Sequence, residues 1–461
     1  MLTEKQVLAL GEFVEQNRKF IEHNQILFDI TEGDLLTYLT KTLEAQFTGD
    51  SAKIALERAI PINILKRIVS KLSKLYMTSP TRKTENPTNQ ELIDYYVKEQ
   101  DVDTYFNDAN ENFNTYKNCV LELFEDKNLL NTRAIPSNGF LPFTFDEVDK
   151  TSAEGIIKFL LMPGGKKKMW IHTDEEFLAV DDTGKIVRED MSENDGNNPF
   201  KVLPFAYMSR SRYLLIPKAD SDLLRMTLVI PVLLTDLTFS SMFMSNPIVY
   251  TIDANVDNMK MGPNICWNMK SDEPDKKPEV GVVKPDPNLE AQLNMIKDIL
   301  ALWLQTKNIK ATNIGSMSVE NIASGIALLI QEMDTTEDRQ AQTVYFKALE
   351  KDYWRKLAIM HNELVIAGRI KEKRLFSNPE ELIVDVTYGS MKIIETKAEV
   401  VERVTKELAQ GLTTKARAIK ELNPVMSTED IVILMKEIDA EKPKLVIETN
   451  FPEKDKEEVD E

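Results

Sequence analysis

The stretch ENIASGIALLIQEMDTTEDRQ, residues 320–340, indicates how this chain is organised. Ser318 lies just upstream and is a favourable helix N-cap. Apolar side chains then recur at helical spacing: Ile322, Ile326, Ile330 and Met333. The apolar stripe stops over DTTEDRQAQT and returns from Phe346 onwards. We therefore predict a long helix that is bent or restarted near 334–338 and packs its two halves against different neighbours.

Composition limits the classes of protein to consider. The chain has 461 residues, of which 42% are hydrophobic and 29% charged, which is typical of core-forming domains. Its formal net charge is −18. That charge argues against a protein that holds nucleic acid by neutralising phosphates, although DNA could still pass through without being held. The two cysteines, Cys119 and Cys266, form no zinc or disulfide pattern and favour a reducing, intracellular compartment.

Upstream of residues 320–340, the spacing of the apolar residues changes twice along the chain. Residues 1–130 have helical spacing, whereas 133–216 alternate as strands of an antiparallel sheet do. Helices return at 219–246, where Pro231 is expected to interrupt the helix or to open a second segment. The predicted fold class is therefore α+β and mainly helical.

The middle of the chain has a helix, a small β insertion and a second helix. The proline-rich segment 247–287 contains short apolar runs that predict small strands, and 288–308 is predicted to be helical. The first helix is long enough to span a bilayer, but Arg225 and Asp236 are costly at bilayer depth. We therefore expect burial in a protein assembly and no membrane.

No catalytic signature is found in the sequence. His23, His172 and His361 lie far apart and have no partners at metal-ligand spacing. The acidic clusters at 271–275 and 334–338 lack the spacing of a calcium loop. We predict no catalytic residue, no metal ligand and no cofactor.

Three stretches, taken in their order, resemble the portal proteins of tailed bacteriophages. NPFKVLPFAYM (198–208) is similar to the family's approach to its first stem helix, with a family glycine replaced here. IASGIALLI (322–330) is similar to the start of the family's long wing helix. LAQGLTTKARAIKELNPVMSTEDIVILMKEIDAE (408–441) is similar to its C-terminal helices.

This resemblance implies a portal-type architecture with wing, stem, clip and crown regions. The implied order is an N-terminal α+β wing (1–216), stem helix 1 (217–246), a clip (247–287), stem helix 2 (288–307), a tunnel loop (308–318), a long kinked wing helix and strand (319–389), a helical crown (390–445) and an acidic flexible tail (446–461).

The resemblance also suggests roles for particular residues. Gly325 costs about 1 kcal/mol relative to Ala within a helix, so the small residues around Ser324 are expected to let a neighbouring backbone approach. Asp334 marks the expected kink. The DNA-facing residues of the tunnel loop would be Lys307, Lys310 and Asn313, and the stem would pack through Leu224, Leu228, Leu300 and Trp303.

The implied function is that of a non-enzymatic structural protein of the virion. Twelve copies would form a ring at one capsid vertex, assembled in the host cytoplasm, and double-stranded DNA would pass through it during packaging and ejection. Expected partners are the terminase, the major capsid and scaffolding proteins and a head-completion or adaptor protein. The alternatives are a cytosolic multidomain enzyme with a cation-assisted acidic site, or another virion connector or adaptor.

Overall fold

A computed structural model of the chain shows a mixed α and β protein that is mainly helical, with several small sheets. This confirms the predicted fold class at that level. The structure describes residues 2–146, 149–161, 167–181, 186–187, 196–245, 248–252, 279–283, 288–307, 309, 325–389, 397–423, 426 and 428–441. The chain divides into two units, Met1–Ile322 with Ile330–Met391, and Ala323–Leu329 with Lys392–Glu461.

The helices and strands of the chain follow a simple order. The N-terminal helices are α1 (Glu4–Gln16), α2 (Arg18–Thr31), α3 (Leu35–Gln46), α4 (Asp50–Glu57), α5 (Ile64–Leu72), α6 (Pro87–Glu99) and α7 (Val102–Tyr116), with strand β1 (Thr81–Lys83) between α5 and α6. The strands that follow are β2 (Asn118–Asp126), β3 (Leu129–Ile135), β4 (Phe140–Phe143), β5 (Gly155–Leu161), β6 (Lys167–Thr173), β7 (Phe177–Val180) and β8 (Phe205–Ser209).

A helical hairpin and a long helix follow the strands. Their elements are α8 (Ser221–Ser245), β9 (Ile248–Ile252), β10 (Glu279–Val283), α9 (Leu289–Thr306), α10 (Gly325–Ile366) and β11 (Asp385–Thr387). The second unit contains the helices α11 (Lys397–Ala409), α12 (Lys415–Leu422) and α13 (Thr428–Glu441). Thr414 caps α12 by accepting the Arg417 amide.

The alternating region forms two antiparallel sheets, with strand orders β3-β2-β8 and β4-β5-β6-β7. Strand β2 is almost completely buried because helix α7 and the long helix α10 contribute residues to the same core. Two short antiparallel pairs, β1 with β11 and β9 with β10, complete the described strands. The predicted sheet region is thus present as small sheets packed against helices.

The later half of α10 crosses the main hydrophobic core. The apolar residues predicted to form its returning stripe are all buried: Phe346, Leu349, Tyr353, Leu357, Met360 and Leu364. They pack against α6, α7 and β2. The helix is continuous from Gly325 to Ile366, so the polar run at 334–338 does not end it.

Helix α8 also differs in detail from expectation. Pro231 was expected to interrupt the helix, but α8 runs continuously from Ser221 to Ser245 with Pro231 inside it. Pro231 is buried and its neighbours Ile230 and Val232 belong to apolar clusters, so packing offsets the missing backbone hydrogen bond. The Thr235 hydroxyl donates to the Pro231 carbonyl at 2.8 Å.

A buried ion pair joins α10 to the rest of the first unit. Glu350 is fully buried, and Arg82 of β1 donates to it from Nε at 2.5 Å. Tyr76, Tyr388 and Trp354 also donate to the Glu350 carboxylate, at 2.8, 3.2 and 3.1 Å. Burial alone would lower the pKa of Arg82, but Glu350 and Asp103 raise it, so the pair remains ionised.

Replacing Glu350 should therefore be strongly destabilising. Glu350→Ala leaves Arg82 buried with only Asp103 at 2.7 Å, and we expect a loss of about 3–5 kcal/mol in the free energy of unfolding. The neighbouring Lys351→Ala is the control because Lys351 is exposed, and it should change stability by less than about 0.5 kcal/mol. Chemical denaturation measures both, and equal stability of the two variants would contradict the role given to Glu350.

His172 of β6 is buried among aromatic rings of neighbouring strands. Its ring centroid lies 4.9 Å from that of Phe177 and 5.0 Å from that of Phe205. Neither ring nitrogen has a hydrogen-bond partner within the described part of the chain. Burial therefore lowers the pKa of His172 from 6.5 to about 4.

This shift predicts a particular pH dependence of stability. Between pH 6.5 and 4 the unfolded chain binds a proton that the folded chain excludes, so the free energy of unfolding falls as pH is lowered through that window. The full contribution is on the order of 3 kcal/mol. His172→Phe should remove much of this loss, as measured by denaturation at pH 7 and pH 4.5. An unchanged pH dependence in the variant would refute the prediction.

Candidate functional site

Helices α8 and α9 form a hairpin that contains all four residues predicted to pack the stem. Trp303 is buried, and Leu224, Leu228 and Leu300 are partly buried against the same cluster. That cluster also includes Leu27 and Ile30 of α2 and residues of α5, so the hairpin is seated on the N-terminal helices. The structure thus brings these four residues together within one chain.

One face of helix α9 is exposed and apolar. Met295, Ile299 and Leu302 follow i, i+4 and i+7 spacing along that face. Leu302 is 66% exposed and Met295 is 49% exposed. We take this row of exposed apolar side chains as a candidate binding surface.

Among the helices that the structure describes, α8 alone is long and apolar enough to cross a membrane. Over Ser221–Ser241 its mean hydropathy is 1.5, and about a third of the segment is buried within the structure. The segment contains Arg225, which is exposed, and Asp236, whose pKa is raised by burial. Both charged side chains would be costly at bilayer depth.

Charged side chains hold the base of the hairpin together. Lys307, directly after α9, lies 3.3 Å from Asp220 and 2.9 Å from Asp222, which flank the start of α8. Lys117, between α7 and β2, lies 3.4 Å from the same Asp220 oxygen. The Trp303 indole N–H donates to Asp222 at 3.4 Å. The two ends of the hairpin are thus linked to each other and to β2.

The remaining predicted residues are distributed as follows. Lys307 was predicted to face DNA, and its side chain is 19% exposed and paired with Asp220 and Asp222 of the same chain. Lys310, Asn313 and Ser324 lie outside the described residues, as does the tail at 446–461. Gly325 is the first residue of α10 in the part of the chain that the structure describes. Asp334 lies within this helix, and its side chain is outside the described residues.

No catalytic or metal centre is recognised in the described part of the chain. It contains no group of three or more His, Cys, Asp or Glu side chains that could hold a metal ion. His361 bonds to Tyr96 and to the Arg374 carbonyl, at 2.7 and 2.8 Å, and burial lowers its pKa. Burial raises the pKa of Cys119, which disfavours the thiolate.

The sequence comparisons add no family. No protein-family model matches the chain, and no curated protein matches it significantly. The function of the chain is therefore inferred from the order of its elements and the geometry of the α8–α9 hairpin.

Removing Lys307 should loosen the base of the hairpin. Asp220 is only 6% exposed, and Lys307→Ala would leave it with Lys117 as its remaining cation. We expect a loss of about 1–2 kcal/mol in the free energy of unfolding, less than for a fully buried pair because Lys307 is partly exposed. A change in Trp303 fluorescence should accompany it. Wild-type stability with unchanged fluorescence would contradict this role.

Proposed function

We propose that the chain is the subunit of a portal ring of a tailed bacteriophage. Twelve copies would surround a channel for double-stranded DNA at one vertex of the capsid, as a non-enzymatic component of the virion. The observation that carries this proposal is the α8–α9 hairpin, which leaves a row of apolar side chains uncovered in a single subunit. In the ring, a neighbouring copy would cover that face.

The order of the described elements supports the same reading. Strands β9 and β10 pair between α8 and α9, as a small clip between two stem helices would. The long helix α10 follows α9, and three short helices end the described chain. In this proposal the clip docks the terminase and later a head-completion protein, while the wing and crown meet the capsid and scaffolding proteins.

The charge of the chain is compatible with a channel for DNA. Each subunit carries −18, so a ring multiplies a strong acidic excess around its bore. Repulsion from acidic walls acts over roughly one Debye length, about 8 Å at physiological salt, and would keep DNA from adhering. Since Lys307 is paired with Asp220 and Asp222, transient contacts with phosphates would fall to Lys310 and Asn313 of the tunnel loop.

A charge on the exposed face of α9 tests the ring. Leu302→Glu should disperse it, because the carboxylate would be desolvated between copies, while the subunit should fold normally because Leu302 is 66% exposed. Mass photometry should show rings of about a dozen 52.7 kDa subunits for the wild type and single subunits for the variant. The matched control is Leu8→Glu on α1, where Leu8 is 58% exposed, and it should leave the ring intact.

Three outcomes would contradict the proposal. A wild-type protein that is a monomer or dimer at every concentration tested would favour the multidomain enzyme. Intact rings from the Leu302 variant would show that the exposed face of the hairpin is not the subunit interface. Partition of the wild type into lipid vesicles, with no ring in solution, would favour a membrane role for α8.

A further inference from the structure

The loop after β8 exposes an aromatic side chain. Residues 210–216 have the sequence RSRYLLI and connect β8 to the approach to α8, within the first unit. Tyr213 is 84% exposed, the highest value among the large apolar side chains of the described residues, and Leu214 is 45% exposed. A tyrosine side chain can bury on the order of 150 Å² or more in an interface, and most of that area is uncovered here.

Hydrogen bonds within the loop hold its backbone in place. The Ser211 hydroxyl oxygen accepts the amides of Tyr213 and Leu214, at 3.3 and 3.0 Å. The Ser209 hydroxyl donates to the Leu214 carbonyl at 3.1 Å, and its oxygen accepts the Ser211 amide at 3.2 Å. Serine side chains thus bind the backbone groups of the turn, and the Tyr213 ring stands on a fixed backbone.

The two ends of the loop are attached to the rest of the first unit. The Arg210 amide donates to the Lys117 carbonyl at 2.8 Å, and the Tyr345 hydroxyl donates to the Arg210 carbonyl at 3.3 Å. At the other end, Leu215 is buried and its carbonyl accepts the Tyr207 hydroxyl. A side chain on a fixed backbone loses less entropy on docking, so it contributes more to affinity than one on a free loop.

The side chains at the tip of the loop define the chemistry of a partner. Arg212 is exposed, and its side chain has no ion pair or hydrogen bond within the part of the chain that the structure describes. Tyrosine and arginine are the residue types that most often dominate the energy of an interface. The partner that fits is acidic and offers an apolar surface to the ring. A second copy of this chain is acidic, because it carries 75 acidic and 57 basic side chains.

The position of the loop favours the same occupant. The exposed row on α9 ends at Leu302, and Thr306 lies one turn further along the same face and is also exposed. Thr306 and Leu214 line one cavity at the base of the hairpin. The loop therefore lies at the end of the row that a neighbouring copy is proposed to cover, and the row and the loop form a continuous surface.

We propose that the tip of this loop, Arg212 to Leu214, anchors the contact between two copies of the chain. The Tyr213 ring would be buried against the neighbouring copy, and Arg212 would pair with one of its acids. This inference rests on the proposed ring and extends its interface from α9 to the loop. A closed ring joins two different patches, so each copy would supply one loop and receive one.

Assembly of the full-length protein can be followed by mass photometry over a dilution series. The loop variant is Tyr213→Ala, which removes an exposed side chain and leaves the serine hydrogen bonds of the loop in place. Tyr213→Phe keeps the ring, and Leu8→Ala is the control because Leu8 is 58% exposed on α1. We expect Tyr213→Ala to need roughly tenfold more protein than the wild type for half-maximal assembly, and the other two variants to match the wild type.

Nitration of tyrosines, located by mass spectrometry, gives a second measurement on the Tyr213 ring itself. Tyr213 should be nitrated in the dispersed Leu302→Glu variant and protected in the wild-type ring. Tyr353, which is completely buried in the core, should be unreactive in both.

The outcomes separate the loop contact from the proposed ring. A wild-type ring that Tyr213→Ala leaves equally stable to dilution, or in which Tyr213 is nitrated as fast as in the dispersed variant, would overturn the loop contact and leave the ring standing. Protection of Tyr213 that arises only when a DNA duplex is added would assign the loop to DNA and overturn the contact as well. A wild type that forms no ring at any concentration would overturn the proposed function together with this inference.

Discussion

The buried carboxylate of Glu350 is the interaction on which the first unit depends. It is the acceptor for Arg82, two tyrosines and a tryptophan, and these donors come from α10 itself, from β1, from beside β11 and from the chain after α5. A carboxylate in an apolar core is tolerated only when its oxygens are satisfied. These contacts help to fix α10 in the first unit, together with the apolar residues that the helix buries in the same core.

The α8–α9 hairpin is attached to this unit in a different manner. Its apolar inner face rests on α2 and α5, while its base is tied by ion pairs around Asp220. The apolar contacts of the inner face stabilise the hairpin without fixing its orientation, and the ion pairs around Asp220 fix that orientation. The exposed row on α9 has no such partner in the part of the chain that the structure describes, which is the physical reason for proposing a second copy as its neighbour.

Much of the fold could be predicted from the sequence. The apolar stripe from Phe346 to Leu364 and the strand alternation before 216 are local patterns, and both correspond to described elements. The continuity of α8 through Pro231 was missed, because tertiary packing overrides the local penalty and leaves no local signal. The packing of Leu224, Leu228, Leu300 and Trp303 could be predicted, because a row of apolar side chains at helical spacing usually marks the buried face of a helix.

The charged contacts could not be predicted from the sequence. Lys307 and Asp220 are 87 residues apart, and Arg82 and Glu350 are 268 apart, so nothing in either neighbourhood indicates its partner. For this reason Lys307 was considered with the loop that follows it and not with the start of α8.

The register of β9 and β10 has a consequence for how this chain could diversify. Ile252 of β9 is paired with Glu279 of β10, so the residues that flank the segment 253–278 lie next to each other. Its length and composition can therefore change without altering the separation of the two helices. The α8–α9 hairpin would keep its geometry, so this segment can vary as an insert independently of the helices.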